Sequence, residues 1–361
     1  MTQRILISTG GSGGHVVPAT IFYEHLKDQF HVSMSTDNRG VKFIDKNKYD
    51  FEIFNVNPLS KNFFLLPFQF LLIIYLIIKS IIFLKKKKIN ILISTGGYMS
   101  LPLCLVSKIL KIKLFLFEPN MVLGRSNRFF IRSCEKIFCY SDEIKNFPSQ
   151  YQNKINVIPA LLRKNFYYTK KAYDIDKYIN LLVIGGSQGA KIFDTLIENS
   201  IIKLSKKYDL KIIQQTNIIN FKNLKKFYKD NNIDYELFDF SEDISNLMSK
   251  ANICLTRAGA STLAELVFLN LPYVAIPLPT SKDNHQLENA FFYNKIGCNW
   301  ILNQNEMNDE TILNKLANII DNKNEYLLKK KNMKNFSYQN TWNNINQKII
   351  SVINENKISK N

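Results

Sequence analysis

The chain has 361 residues, 46% of them hydrophobic, which is enough for two globular domains of ordinary size. Its formal net charge of +18 favours an anionic partner, such as nucleic acid, an acidic membrane surface or a phosphate-bearing substrate, although a general excess of lysine also explains the charge. The basic residues form no arginine-rich helix, aromatic-interleaved motif or zinc module, so we predict no nucleic-acid partner.

The cysteines are five in number, widely scattered and without a Cys-x-x-Cys pair. This pattern indicates neither a disulfide framework nor a structural zinc site, and it fits a reducing cytosol. The N-terminus runs directly into an apolar strand, so we expect no signal peptide.

The first predicted strand begins at Arg4 and is followed by Gly-Gly-Ser-Gly-Gly-His at residues 10–15 and a segment of helical period. Without Cβ atoms, backbone N–H groups can approach a phosphate or a sugar closely, and a helix N-terminus favours anions. The spacing is not Gly-x-Gly-x-x-Gly, and no Lys-Ser/Thr follows, which disfavours nicotinamide and P-loop sites. The alternative is a tight turn with a structural role only.

Residues 62–78 carry no charged side chain, and a second apolar run leads into Lys85 to Lys88. Length alone permits a short transmembrane helix. Pro67 and Gln69 interrupt the run, and a span would split a Rossmann-like half across the bilayer. We therefore expect a helix that is buried or lies in the membrane interface, with Lys79 and the four later lysines near lipid phosphates. Anionic membrane lipids are the predicted partners of this segment.

Three further apolar runs repeat the order of strand, glycine turn and helix, with turns at Gly96-Gly97, Gly185-Gly186 and Gly259. Short Ile/Leu/Val runs followed by crossover helices are typical of buried parallel strands. The predicted fold class is α/β, with two Rossmann-like parallel-sheet domains. We expect them at residues 1–160 and 161–337, and a C-terminal helix in residues 338–361 that returns to the first domain.

Two segments of the second half carry polar groups after strands. Gly-Gly-Ser-Gln-Gly-Ala at residues 185–190 repeats the first glycine loop and places Ser187 as an N-cap or a diphosphate ligand. A glycine loop in each half predicts a ligand in the cleft between them. Further on, Thr262 and Glu265 match a Thr-x-x-Glu capping box, and the alternative is that Glu265 accepts hydrogen bonds from a ribose diol.

Read in order, these segments resemble the MurG family of UDP-N-acetylglucosamine transferases, which act on undecaprenyl-pyrophosphoryl-N-acetylmuramyl-pentapeptide. The resemblance covers nearly the whole chain. It rests on the two glycine loops, Gly96-Gly97-Tyr98, Glu118-Pro119-Asn120, Arg257-Ala258-Gly259-Ala260, and Lys-Asp-Asn-His-Gln-Leu-Glu-Asn-Ala at residues 282–290.

The resemblance implies a GT-B fold that binds the donor mainly on the C-terminal half and the lipid acceptor on the N-terminal half. It also implies metal-independent catalysis without a cofactor, and a peripheral enzyme on the cytoplasmic side of the cell inner membrane. The implied donor-binding residues are Ser12, Gly13, Gly14, Asn120, Arg163, Ser187, Ser241, Ala260, Ser261, Thr262, Leu263, Ala264, Glu265 and Gln286.

The implied reaction inverts the anomeric carbon as the acceptor 4-hydroxyl displaces UDP, which requires a base and a group that stabilises the leaving anion. His15 and Glu118 are the candidate bases, although His15 has the alternative role of capping a helix or holding the acceptor. Two other classes remain open at this point: a UDP-N-acetylglucosamine 2-epimerase and a non-catalytic membrane scaffold. The epimerase has no need of the apolar, lysine-flanked segment, and intact glycine loops argue against the scaffold.

Overall fold

The computed structural model describes residues 3–56, 66–97, 100–186, 192–241 and 243–355, with only the backbone described for residues 66–70. Three sequence-based predictions lie wholly or partly outside these ranges: the ligand role of Ser187, the first residues, 62–65, of the apolar segment, and the last residues, 356–361, of the C-terminal segment. The chain forms two compact units, Met1–Arg163 with Trp342–Asn361, and Lys164–Thr341.

Strands and helices alternate along most of the chain. The strands are β1 Arg4–Ser8, β2 His31–Thr36, β3 Phe51–Ile53, β4 Ile91–Ser94, β5 Lys113–Glu118, β6 Lys136–Cys139, β7 Ile155–Val157, β8 Tyr178–Ile184, β9 Asp209–Gln215, β10 Asp234–Phe238, β11 Ile253–Thr256, β12 Tyr273–Ala275 and β13 Asn299–Ile301. The helices are α1 Gly13–Leu26, α2 Leu66–Lys86, α3 Ser100–Ile109, α4 Arg125–Phe130, α5 Phe193–Leu196, α6 Glu198–Ser205, α7 Ile218–Asp230, α8 Ile244–Lys250, α9 Ala260–Phe268, α10 His285–Lys295, α11 Asp309–Asp321, α12 Lys323–Ser337 and α13 Trp342–Glu355.

Each unit contains one parallel sheet. The first unit has seven strands in the order β3-β2-β1-β4-β5-β6-β7, and the second has six in the order β10-β9-β8-β11-β12-β13. The central strands are buried on both faces, as at Ile5 to Ile7 and Leu181 to Val183, which explains their continuous apolar sequences. The predicted α/β class, with two Rossmann-like parallel sheets, is confirmed.

The strand order also identifies where each sheet reverses direction. In the first unit the reversal lies between β1 and β4, which pair from Ile5 with Ile91 to Ser8 with Ser94. In the second unit it lies between β8 and β11. Open α/β sheets bind ligands at this switch point, outside the carboxyl ends of the strands. All four predicted glycine turns follow these four strands.

Helix α2 has one buried and one exposed side. Leu76, Ser80 and Leu84 face inward, and α2 packs beside α3. The exposed side carries an apolar stripe at helical spacing, formed by Leu71, Ile74, Tyr75, Ile78 and Ile82. Among the described residues, no helix has the length and hydropathy needed to cross a membrane.

The C-terminal helix α13 packs against α1 in the first unit. His25 of α1 stacks on Trp342, with 3.7 Å between the ring centroids, and is only 2% exposed. Neither ring nitrogen of His25 has a hydrogen-bond partner in the described part of the chain. Burial lowers the pKa of His25 from its usual 6.5 to about 4, although the nearby Glu24 charge acts in the opposite direction.

This buried histidine predicts acid sensitivity of the first unit. Below the unfolded pKa of 6.5 the unfolded chain binds a proton that the folded unit cannot accept until about pH 4, so stability falls as the pH falls through that window. We expect the free energy of unfolding to decrease by about 2 kcal/mol between pH 7 and pH 5.

Urea titrations at the two pH values measure this difference. His25→Phe keeps the stacking on Trp342 and should remove most of the loss, whereas His31→Gln, at an exposed position on β2, should leave it unchanged. An unaltered pH dependence in His25→Phe would assign the effect to other groups.

Candidate active site

The first glycine loop lies between β1 and α1 at the switch point of the first unit. Gly11 has a φ of +86°, which favours glycine, and its N–H donates to Asp37 Oδ1 at 2.9 Å. Helix α1 has Ser12 as its N-cap, and the Ser12 side chain makes no capping hydrogen bond in the described structure. The start of α1, with Gly13 and Gly14 in its first turn, therefore keeps N–H groups available for an external acceptor.

Asp37 at the end of β2 fixes this loop. Its carboxylate also accepts from Gly40 N at 2.8 Å and from Arg39 Nε at 2.8 Å. Burial alone raises the pKa of Asp37, but the hydrogen bonds from Gly11, Arg39 and Gly40 outweigh burial and lower the pKa. Asp37 was not among the predicted residues, although an acidic residue after the second strand of a Rossmann-like unit is a recognisable signal.

His15 of α1 is half-buried against the second glycine turn, which follows β4. Its Nδ1 lies 2.8 Å from the Thr95 carbonyl oxygen. Since a carbonyl oxygen only accepts, Nδ1 must carry the proton, and the neutral ring then has its lone pair on Nε2. Gly96 has a φ of +93°, and a Cβ there would lie 3.3 Å from His15 Cε1, so the turn leaves room for the ring.

Glu118, the last residue of β5, is buried and accepts hydrogen bonds at both oxygens. Oε1 accepts from Asn120 N at 3.3 Å and Asn120 Nδ2 at 3.0 Å, and Oε2 accepts from Gly124 N at 2.8 Å and Asn127 Nδ2 at 3.0 Å. A Cβ on Gly124 would lie only 2.9 Å from Oε2. The carboxylate thus organises the loop that presents Asn120.

Arg163, another candidate of this unit, is half-buried after β7 and is the last residue before Lys164 begins the second unit.

In the second unit, Gly185 and Gly186 follow β8 at the switch point, and Gly186 has a φ of +78°. Gly185 N donates to Gln215 Oε1 at 3.1 Å.

Helix α9 follows β11 at the same switch point and contains Ala260, Ser261, Thr262, Leu263, Ala264 and Glu265. Its N-cap is Gly259, with no side-chain capping hydrogen bond within the described residues. The capping-box interpretation of Thr262 and Glu265 is therefore wrong, because the helix begins two residues before Thr262. Glu265 is instead buried in the second turn. By contrast, α7, α8, α11 and α12 are capped by Asn217, Asp243, Asn308 and Asn322.

Gln286 of α10 supports the turn before α9. Its Oε1 accepts from Ala258 N at 3.2 Å and from Leu278 N at 3.0 Å, and Asn289 Nδ2 donates to Ala258 O at 3.1 Å. Arg257 is buried, and Nη1 donates to Ile276 O at 3.2 Å. Burial lowers the pKa of Arg257. These side chains hold the β11–α9 turn in place. Gln286 uses its Oε1 within the turn, and its Nε2 group carries the N–H donors of the side chain.

Ser241 follows β10 by three residues, at the carboxyl edge of the same sheet. It is half-buried. In each unit the glycine turns and the starts of the helices that follow them therefore lie at the carboxyl edge of the sheet, whereas Ser187 lies outside the described residues. Within the described residues no group of three or more His, Cys, Asp or Glu side chains is arranged to hold a metal ion.

Comparison with known proteins identifies both halves. Residues 5–139 match the glycosyltransferase family 28 N-terminal domain, and residues 180–346 match the glycosyltransferase family 28 C-terminal domain. A protein of Pelagibacter ubique (strain HTCC1062) is 66% identical over 358 residues, which cover 99% of this chain and 100% of that protein. It is named UDP-N-acetylglucosamine--N-acetylmuramyl-(pentapeptide) pyrophosphoryl-undecaprenol N-acetylglucosamine transferase. A protein of the same name from Rickettsia prowazekii (strain Madrid E) is 33% identical, with 89% of this chain and 92% of that protein covered.

Solved structures share the fold. The crystal structure of Acinetobacter baumannii MurG has a TM-score of 0.78 and 24% identity, with 98% of this chain and 100% of that chain covered. UDP-GlcNAc 2-epimerase from Neisseria meningitidis has a TM-score of 0.68 and 14% identity, with 98% and 100% covered. Folds alone do not separate transferase from epimerase. The sequence matches do separate the two classes. The chain belongs to glycosyltransferase family 28 and, within it, to the MurG family.

Proposed function

We propose that this protein transfers N-acetylglucosamine from UDP-N-acetylglucosamine to the 4-hydroxyl of undecaprenyl-pyrophosphoryl-N-acetylmuramyl-pentapeptide, with inversion, in peptidoglycan synthesis. The observation that carries the proposal is the 66% identity, over 358 residues, to a protein named for this transfer. The two switch points add physical support, because glycine turns and uncapped helix starts are suited to phosphate and sugar ligands.

The second unit, residues 161–337 in the sequence-based division, is proposed to bind the donor. Helix α9 starts at Ala260 without a side-chain cap, so its first N–H groups can donate to the ligand. Gln286 and Asn289 hold the preceding turn in place. In this arrangement Glu265 accepts from the ribose hydroxyls, and Ser241 contacts the nucleoside, in line with the family resemblance.

The first unit, residues 1–160 with the C-terminal helix, is proposed to bind the acceptor and supply the base. His15 is suited to that role because its Nδ1 donates to Thr95 O, which leaves the basic lone pair on Nε2. The acceptor 4-hydroxyl would give its proton to Nε2 as its oxygen attacks the anomeric carbon. The start of α1, with Ser12, Gly13 and Gly14, would bind the negatively charged or hydroxyl groups beside it.

Glu118 is a weaker candidate for the base. Its two oxygens already accept four hydrogen bonds, and accepting a proton would weaken them. We assign it a positioning role toward Asn120, which the resemblance places at the donor.

The leaving UDP carries the charge that develops in the transition state. We propose that Arg163 and the glycine loop containing Ser187 stabilise it. A guanidinium can donate two parallel hydrogen bonds to a phosphate, and backbone N–H groups of a glycine loop add more donors.

Purified protein incubated with UDP-N-acetylglucosamine, with and without the lipid-linked acceptor, tests the proposed reaction. Release of UDP that depends on the acceptor, with an N-acetylglucosaminyl product, is expected. Formation of an epimerised sugar nucleotide in the absence of acceptor would show an isomerase. No turnover under either condition would support the non-catalytic membrane scaffold.

We further propose that the protein acts as a peripheral protein on the cytoplasmic side of the inner membrane. The acceptor in the relatives' name is an undecaprenol, whose hydrocarbon chain belongs in a bilayer. The apolar stripe of α2 ends at Lys85 and Lys86, which are exposed. Apolar side chains that enter the acyl boundary next to lysines near anionic headgroups give real but reversible binding.

Replacing Lys85 and Lys86 by glutamine should weaken co-sedimentation with anionic vesicles about 30-fold at low salt, since each lysine near such a surface contributes about 1 kcal/mol. The matched control is Lys222→Gln with Lys225→Gln, which removes the same charge from exposed positions of α7. Equal weakening by both pairs would mean that binding follows net charge alone and would contradict docking through α2.

A further inference from the structure

Gln215, the last residue of β9, joins two loops of the second unit through one side chain. Its Oε1 accepts from Gly185 N at 3.1 Å, and its Nε2 donates to Asp239 O at 2.9 Å. Gly185 begins the glycine loop after β8, and Asp239 lies two residues before Ser241 in the segment after β10. The carboxamide therefore contacts the two loops on either side of its own strand.

The topology explains why this residue can make both contacts. β9 lies between β8 and β10, and all three strands are parallel, so their carboxyl ends lie side by side. Thr216 N donates to Phe238 O at 2.8 Å and continues the β9–β10 pairing past the strand ends. On the β8 side the described contact is made by the Gln215 side chain. The backbone pairing sets the strands, and beyond the last paired residues of β8 and β9 the described link between the two loops is this one carboxamide.

We propose that Gln215 is a positioning residue that sets the distance between the diphosphate loop at Gly185 and the nucleoside segment at Ser241. This inference rests on the proposed donor site and deepens it. In that proposed site a nucleoside diphosphate would contact both loops at once, so a fixed spacing lowers the ordering cost of binding it. Uridine or inorganic pyrophosphate contacts one loop only and gains nothing from the link.

The side chain has the chemistry that the link requires. An amide has an acceptor at one atom and a donor at the other, and it matches an N–H group on one loop and a carbonyl on the other. Glutamate keeps the acceptor for Gly185 N but has no donor for Asp239 O, and leucine has neither. Gln215→Glu and Gln215→Leu therefore remove one half and both halves of the link.

Binding of UDP, uridine and inorganic pyrophosphate to the full-length protein tests the proposal. We expect Gln215→Leu to weaken UDP binding about tenfold and to change the other two affinities by less than about threefold, because only UDP depends on the spacing. Gln215→Glu should weaken UDP binding at least as much, because its second carboxylate oxygen faces Asp239 O without a donor and its charge repels the diphosphate. The donor KM should rise with the UDP dissociation constant, while kcat changes less.

Asn217→Ala is the matched control, since Asn217 caps α7 two residues later through Ile219 N without joining the two loops. It should lower the melting temperature without a selective loss of UDP binding. Equal weakening of all three ligands in Gln215→Leu would indicate a general structural role, and unchanged UDP binding would remove Gln215 from the site; either result overturns the inference. If the wild-type protein did not bind UDP, the proposed function itself would fail, which is a different outcome.

Discussion

Replacing His15 by asparagine is expected to lower kcat by about 10²- to 10⁴-fold, the usual contribution of a general base. The asparagine Nδ2 group takes the place of the imidazole Nδ1 and can still donate to Thr95 O, so the packing against the second glycine turn should survive. What disappears is the lone pair of Nε2. Steady-state release of UDP in the presence of acceptor measures the effect.

Two further measurements isolate the chemical step. Donor binding and the melting temperature should change little in His15→Asn, whereas His15→Ala also loses the hydrogen bond to Thr95 O and should lose stability. A kcat within about threefold of the wild type would contradict the role of His15 as the base. A large rise in acceptor KM with unchanged kcat would instead assign His15 to acceptor binding, the alternative that the sequence left open.

The positions of the glycine turns were predictable because they depend on local chemistry. A buried parallel strand requires a continuous apolar run, and the turn after it requires residues that tolerate positive φ, as at Gly11 and Gly96. Those two signals are adjacent in the sequence. Together with the 3.6-residue period of the helices they predict the α/β class and place the turns at the carboxyl ends of β1, β4, β8 and β11.

Contacts across the sheet were not predictable in the same way. Asp37 lies 26 residues from Gly11, and Gln215 lies 30 residues from Gly185, so nothing local marks either pair. The start of α9 was not predictable either, because a Thr-x-x-Glu pattern matches a capping box wherever it occurs in a sequence. The tight turn at Gly259, held by Gln286 and Asn289 from another helix, sets the true N-terminus.

The chemical role of Glu118 was not predictable from the sequence for the same reason. A carboxylate after a strand fits a base as well as a loop organiser, and only its hydrogen-bond partners separate the two roles. Oε1 accepts twice from Asn120, and Oε2 accepts from Gly124 and Asn127. All these donors lie within nine residues of Glu118, yet their convergence depends on how the 119–127 loop folds back over β5.

Glu118→Gln should therefore act mainly on stability. The amide has one acceptor oxygen, so it can serve the donors on one side only. Its NH₂ group must face the two N–H donors on the other side, and each donor that loses its acceptor costs about 1–3 kcal/mol. We expect the free energy of unfolding to fall by about 3 kcal/mol, measured by urea denaturation, with activity reduced because Asn120 is no longer held. Asp142→Asn, the same acid-to-amide change at an exposed position of the first unit, should have little effect. If Glu118→Gln kept wild-type stability but lost activity on the scale expected for His15→Asn, Glu118 would be the base. His15 would then hold the acceptor in position.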